Sequence, residues 1–265
     1  MPAVERLEAP AGEEDPQPDS AWWGWHVARY AFAARLLAER PGRGPVLDIA
    51  CGTGYGARLL AERSGRRVVG ADVDLPALGS ARAAGPVAAA DGACLPFVSG
   101  AFDAVVTMET IEHLEPRAAF VGELARVLVP GGLLVLSTPN ARHSRPVDGV
   151  PANPFHVHEY LPDELVEELG AGFDVDRLLG QDISDRFRIS PFWDDQERLP
   201  RTAPAQARRL AWRVLNKLPA GARDTGSRAL WGHPLFPGPD DYTFTPEGAT
   251  TARTLVAVAR RRVSG

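Results

Sequence analysis

The sequence predicts an α/β fold, a doubly wound and mostly parallel sheet, on three observations. Short apolar runs alternate with amphipathic helical stretches over residues 22–179, joined by short glycine-rich links, as helix-covered parallel strands require. A glycine-rich turn, Cys51 to Gly56, follows the first apolar run, where open parallel sheets bind nucleotides. And 265 residues with 45% hydrophobic and 24% charged side chains suffice for one substantial core.

The elements follow in order. Residues 1–20 are acidic and proline-rich with little to bury, which reads as a disordered leader without the basic-then-apolar order of a secretory signal. From residue 22 to 39 apolar residues recur at helical spacing (Val27, Tyr30, Ala34, Leu37), closed by Pro41, Gly42 and Gly44. A strand at 46–50 leads through glycines into a helix at 57–63. Strand 67–71, helix 75–83, strand 87–90, strand 103–108, helix 117–128 and strand 133–137 continue the rhythm. A long irregular loop runs to Tyr160, then come a helix at 162–169 and a strand at 173–179. The sheet takes its last strand from 254–259, expected antiparallel at or near an edge. Residues 181–245, rich in proline and aromatics with one helix at 205–218, read as an insertion or cap within a single domain, 21–265.

Bulk properties exclude several functions. The net charge of −5 argues against DNA, RNA or a polybasic membrane contact across the whole surface, though a local basic patch stays open. Two cysteines, Cys51 and Cys94, rule out a disulfide scaffold or a cysteine-built zinc site and fit a reducing cytoplasm. No apolar run approaches the roughly 20 residues that span a bilayer.

The glycines of the first turn let backbone approach a ligand closely. Asp48 lies inside the strand, and the Gly-x-Gly-x-Gly spacing departs from the Gly-x-Gly-x-x-Gly of nicotinamide folds. Asp72 ends the second strand about twenty residues later, where a carboxylate accepts from ribose hydroxyls. Asp91, followed by Gly92 and Ala93, can accept from an adenine amino group.

With these features the sequence resembles the class I S-adenosylmethionine-dependent methyltransferases. The matching pieces are Val46-Leu-Asp-Ile-Ala-Cys-Gly-Thr-Gly-Tyr-Gly56, Val69-Gly-Ala-Asp-Val-Asp74, Asp91-Gly-Ala-Cys-Leu-Pro-Phe97, Phe102-Asp-Ala-Val-Val106 and Arg126-Val-Leu-Val-Pro-Gly-Gly132, in family order. The resemblance implies a seven-stranded sheet with S-adenosylmethionine across the ends of the first strands. Gly52 and Gly54 would lie near the methionine part, Asp72 on the ribose and Asp91 on the adenine. His26, Tyr30 and Thr53 would complete the pocket, with Asp48, Ala50, Val73, Gly92, Ala93 and Met108 beside it.

On the acceptor side stand Glu109-Thr-Ile-Glu112-His113 and His156-Val-His158-Glu159-Tyr160. In a helix, Glu109, Glu112 and His113 fall on one face and converge. The pattern looks like that of two methyltransferase groups that use a divalent ion, one acting on catechols and one on RNA 3′ ends. The resemblance implies Mg²⁺ or Mn²⁺ held by Glu109, Glu112, His113 and His156, with His158 as the other choice for the last ligand. A vicinal diol can chelate such an ion, which lowers the hydroxyl pKa. In metal-free relatives a similar Glu-His shapes the acceptor wall, and then His113, His156 or His158 is the general base.

The wider run over residues 22–180 looks most like bacterial methyltransferases of glycan biosynthesis, which implies a sugar or oligosaccharide acceptor. A quinone, polyketide or other phenolic acceptor is the alternative, and a non-catalytic S-adenosylmethionine-binding partner protein is a further one. In the insertion, Trp193 with the carboxylates Asp194 and Asp195, then Trp212, Trp231, His233 and Phe236, offer either a sugar platform or the cap's own small core. Residues 201–223 carry six basic and no acidic side chains, either a docking site for an anionic acceptor or a solvated face.

Overall fold

A computed structural model describes residues 23–42, 44–184, 186–187 and 202–263. The acidic leader and Trp193, Asp194 and Asp195 lie outside the described residues. The chain divides into two compact units. Of the described residues, the first unit comprises 29–182 and 244–263 and holds most of the sheet; the second comprises 23–28 and those from 183 to 243.

Helices α1 (Trp23–Glu39), α2 (Tyr55–Ser64), α3 (Leu75–Ala81), α4 (Arg117–Val127), α5 (Ala141–Ser144) and α6 (Pro162–Leu169) alternate with strands β1 (Val46–Ile49), β2 (Val68–Asp72), β3 (Val87–Ala89), β4 (Phe102–Met108), β5 (Leu128–Pro139) and β6 (Phe173–Ile183). Helices α7 (Ala203–Leu215) and α8 (Ala220–Trp231) and strands β7 (Tyr242–Thr245) and β8 (Thr254–Arg261) follow. The sheet runs β3-β2-β1-β4-β5-β8-β6-β7. Strands β1 to β5 pair in parallel, and β8 lies antiparallel between β5 and β6. Among the described residues no helix is long and apolar enough to cross a membrane.

Strand parity explains the layers. Leu47, Ile49, Val105, Leu134, Leu136, Leu255 and Ala257 point to one face, where Phe120, Leu124 and Leu165 cover them. Val46, Ala104, Val106, Val135, Val256 and Val258 point to the other, against Ala33, Ala34, Leu37 and Leu60. Both faces are apolar, so both need helices.

Three expectations change. The sheet has eight strands, one more than the seven implied by the resemblance, because Tyr242–Thr245 adds a strand. The last strand is interior rather than at or near an edge: its first six residues are buried, and β6 and β7 lie outside it. The fifth strand begins five residues before the predicted 133, because Leu128 is buried and pairs with Phe102 directly after α4.

In the second unit, Leu215, Leu235 and Phe236 are buried, with Trp212 and Trp231 packed against them. His233 lies between the rings of Phe187 and Trp231. Trp212, Trp231 and Phe236 therefore belong to a small core of this unit. Both cysteines are free thiols.

Candidate active site

Two loops meet at the carboxyl ends of the neighbouring parallel strands β1 and β4, which pair through Ile49 and Thr107. The chain winds outward from β1 through β2 to β3, then returns to β4 on the other side of β1. This reversal opens a crevice between the loops that leave the two strands.

In the first loop, Ala50, Gly52 and Gly54 have φ of 58, 55 and 86°. A side chain on Gly52 would meet no atom within 4 Å, so the turn faces open space, whereas one on Gly54 would lie 2.8 Å from Ala81 of α3. The Gly52 N–H donates to Asp72 Oδ2 at 2.8 Å and the Asp74 N–H to Oδ1 at 2.9 Å. These two bonds fix Asp72 at the end of β2. Beside it, Val73 is 66% exposed, and Thr53 is half-buried. Asp91 is exposed and accepts from the Ala93 N–H at 2.9 Å, closing a turn around the half-buried Gly92.

Beneath this loop the β1 parity directs Asp48 toward α1, where the Tyr30 hydroxyl donates to its Oδ1 at 3.3 Å. Burial pushes the Asp48 carboxyl up to about 8; the Tyr30 hydrogen bond opposes this, and the Asp72 charge adds to it. Burial likewise raises the Tyr30 phenol, so both groups are neutral at pH 7. Met108 is a buried member of the same core face. His26 belongs to the second unit, edge-to-face with Trp25 at 5.5 Å.

In the second loop, Glu109 has a φ of 52° and precedes a single 3-10 turn, Ile111–His113. The expected helical face therefore does not form. Glu109 Oε1 accepts from Ser137 Oγ at 2.7 Å and lies 3.8 Å from Nη1 of the fully buried Arg29, which also donates to Gln181. Glu112 is fully buried, and its Oε2 accepts from Thr138 Oγ1 at 3.0 Å. Its Oε1 has no hydrogen-bond partner among the described residues. Burial first, and then the Glu109 charge, raise its carboxyl well above the usual range.

His113 Nδ1 lies 2.9 Å from the Phe155 carbonyl. A carbonyl only accepts, so Nδ1 carries a proton, and in the neutral ring the lone pair is on Nε2. His156 Nδ1 donates to Glu159 Oε1 at 2.7 Å, and its Nε2 accepts from Asn153 Nδ2 at 3.0 Å. Burial works against the Glu159 charge, yet hydrogen bonds from His156 and Ser144 hold this carboxyl below its ordinary value. The two imidazoles meet edge-to-face at 4.9 Å.

One ligand atom each from Glu112, His113 and His156 lies within 4.8 Å of the other two. Glu109, expected with them, does not join this group; its left-handed backbone and the Ser137 bond hold it elsewhere. His158 lies apart too, edge-to-face with Tyr160 and 3.7 Å from Glu164. The supporting side chains Thr138, Ser144 and Arg29 carry no signal in the sequence, since nothing local pairs them with the site.

A sequence family described as a methyltransferase domain matches residues 47–136. A probable S-adenosylmethionine-dependent methyltransferase of Mycolicibacterium smegmatis is 39% identical over 61% of this chain and 63% of its own length. The demethylmenaquinone methyltransferase of Corynebacterium kroppenstedtii is 32% identical over 68% of this chain and 75% of its own. A putative methyltransferase from Bacillus halodurans superposes with a TM-score of 0.53 at 19% identity, covering 88% of this chain and 98% of that one, and shows the shared fold. The chain belongs to the class I S-adenosylmethionine-dependent methyltransferases. It spans a little over three fifths of the length of the mycobacterial relatives it matches.

Proposed function

We propose that the protein transfers a methyl group from S-adenosylmethionine to a hydroxyl of a sugar or glycan. The observation that carries this reading is the convergence of Glu112, His113 and His156 within 4.8 Å, although residue 156 is more than forty positions away in sequence. Bound S-adenosylmethionine supplies an electrophilic methyl on a sulfonium. The open turn at Gly52 and the oriented Asp72 carboxylate fit its ribose, and exposed Val73 and the Asp91 turn fit its adenine. Asp48, neutral and buried, supports the loop from below through Tyr30.

On the acceptor side, in a cluster without an ion, His113 Nε2 takes the hydroxyl proton as the oxygen attacks, and the Phe155 carbonyl holds the positive ring that results through Nδ1–H. Glu159 gives His156 the same kind of support. The unsatisfied Oε1 of Glu112, beside two imidazoles, fits a divalent cation. Two nitrogen donors and one carboxylate suit Mn²⁺ better than Mg²⁺, which prefers oxygen. Such an ion, held by Glu112, His113 Nε2 and, in place of the Asn153 bond, His156 Nε2, would supply the charge that lowers the pKa of an acceptor hydroxyl; His158 is then the imidazole of this segment left to take the proton.

The polar character of the cluster, with Thr138, Asn153, Ser144 and Glu159 around the histidines, favours a polyhydroxylated acceptor. A quinone, polyketide or other small phenolic acceptor is the second reading, supported by the relative named as a demethylmenaquinone methyltransferase. Labelled methyl transfer from S-adenosylmethionine to a panel of oligosaccharides and hydroquinones, with and without EDTA and added Mn²⁺, tests both. We expect label in oligosaccharides, lost with chelator and restored by Mn²⁺. Label confined to hydroquinones overturns the acceptor, and full activity of metal-stripped enzyme in EDTA overturns the ion.

A further inference from the structure

The second unit carries a surface that the methyl-transfer reading does not use. Leu210 and Val214 of α7, and Leu218 just beyond it, are 63%, 56% and 40% exposed. Leu210 and Val214 lie four residues apart and so share one face of the helix, with Leu218 in the turn that follows it. The residue before each is basic: Arg213 and Lys217 are exposed and Arg209 is half-buried, which puts cations beside the apolar side chains. The opposite side of α7 is occupied, with Leu215 buried in the cap core and Arg208 over the Trp231 ring at 5.2 Å. Between Thr202 and Arg223 no acidic residue dilutes the charge, although the whole chain is net negative.

We propose that this face of α7 docks on an anionic lipid bilayer, with the apolar side chains in the acyl boundary and the cations among the headgroups. The two sets together select this occupant. A nucleic-acid strand would satisfy the cations and leave three aliphatic side chains in water. A second copy meeting this face would bury the aliphatic side chains but bring like charges together. An anionic bilayer takes both, at about fivefold in affinity for each basic residue near its surface.

The test is co-sedimentation of the full chain with phosphatidylcholine vesicles, pure or containing about a third phosphatidylglycerol. We expect binding to the anionic vesicles alone, weakened by salt. An Arg213→Ala/Lys217→Ala variant should bind about 25-fold more weakly, and a Leu210→Ser/Val214→Ser variant at least tenfold more weakly. All four positions are exposed, and unchanged thermal unfolding would confirm that both variants fold. Absence of binding to anionic vesicles overturns the proposal, as does binding indifferent to the serine variant. It is equally overturned by light scattering that shows a dimer abolished by the serine substitutions, or by a preference for single-stranded RNA over the vesicles.

Discussion

Asp48 offers a sharp test of how the donor half is built. It is fully buried within β1, and its carboxyl is pushed up to about 8 from an ordinary 3.8, chiefly by burial. A carboxyl that is protonated in the fold and ionised in the unfolded chain makes unfolding release a proton. Its contribution to stability is therefore complete below about pH 4, falls as pH rises, and is gone above about pH 8. The slope is about 1.4 kcal/mol for each pH unit, so up to about 4 kcal/mol disappears between pH 5 and pH 8. An asparagine in its place would mimic the neutral acid, still accept from Tyr30, and carry no charge at any pH. The gap in melting temperature between Asp48→Asn and the parent should thus widen in favour of the variant by on the order of 10 °C across that range, at about 2–4 °C per kcal/mol for a domain of this size. Thermal unfolding by circular dichroism, without cofactor, measures it. Whatever the gap at pH 5, its growth decides the matter. Parallel curves from pH 5 to pH 8 would mean that Asp48 is already ionised inside the fold, and that the neutral pair with Tyr30 is wrong.

Two further outcomes follow from named hydrogen bonds. Asp72→Ala removes a charged acceptor and strands the Gly52 N–H, so S-adenosylmethionine should bind about 10- to 100-fold more weakly by calorimetry; unchanged affinity would take Asp72 out of the site. Asn140→Ala removes buried bonds from Nδ2 to the Ala249 and Ala252 carbonyls at 3.0 and 2.8 Å, so stability should fall by about 2–4 kcal/mol while cofactor affinity, measured by the same calorimetry, stays within about twofold.

The parts of the site legible in the sequence are those determined by near neighbours. The turn after β1 is written in its glycines, Asp72 in the end of a short strand, and the two layers in the alternation of β4 and β5. Glu109 defeats the spacing argument because intervals of three and four residues imply convergence only inside a helix, and a positive φ at Glu109 itself breaks the premise. Thr138 under Glu112, the Phe155 carbonyl behind His113 and Ser144 on Glu159 depend on how the loop after β5 folds back, which periodicity does not encode. Helix α8 escapes the sequence pattern for another reason. Gly221, Thr225 and Gly226 weaken its periodicity, and what holds it is tertiary: Arg223 lies over the Phe236 ring at 4.5 Å, and Ser227 is fully buried.

The long loop that carries His156 is less free than its length suggests. Its two ends are joined, since Asn140 and Tyr160 form a bridge and the Ala141 N–H donates to the Tyr160 carbonyl at 2.9 Å. Near its far end, the Val157 and His158 N–H groups both donate to the Glu112 carbonyl, at 2.7 and 3.2 Å. Glu112 therefore serves His156 twice, offering a carboxylate to the cluster and a carbonyl to the backbone that positions the ring. The donor loop hangs from β1 and the acceptor loop from β4, paired residue for residue. On the proposed function, substitutions between Asn140 and Tyr160 would alter the acceptor side while His113 keeps its place above β4, because this segment is pinned at both ends.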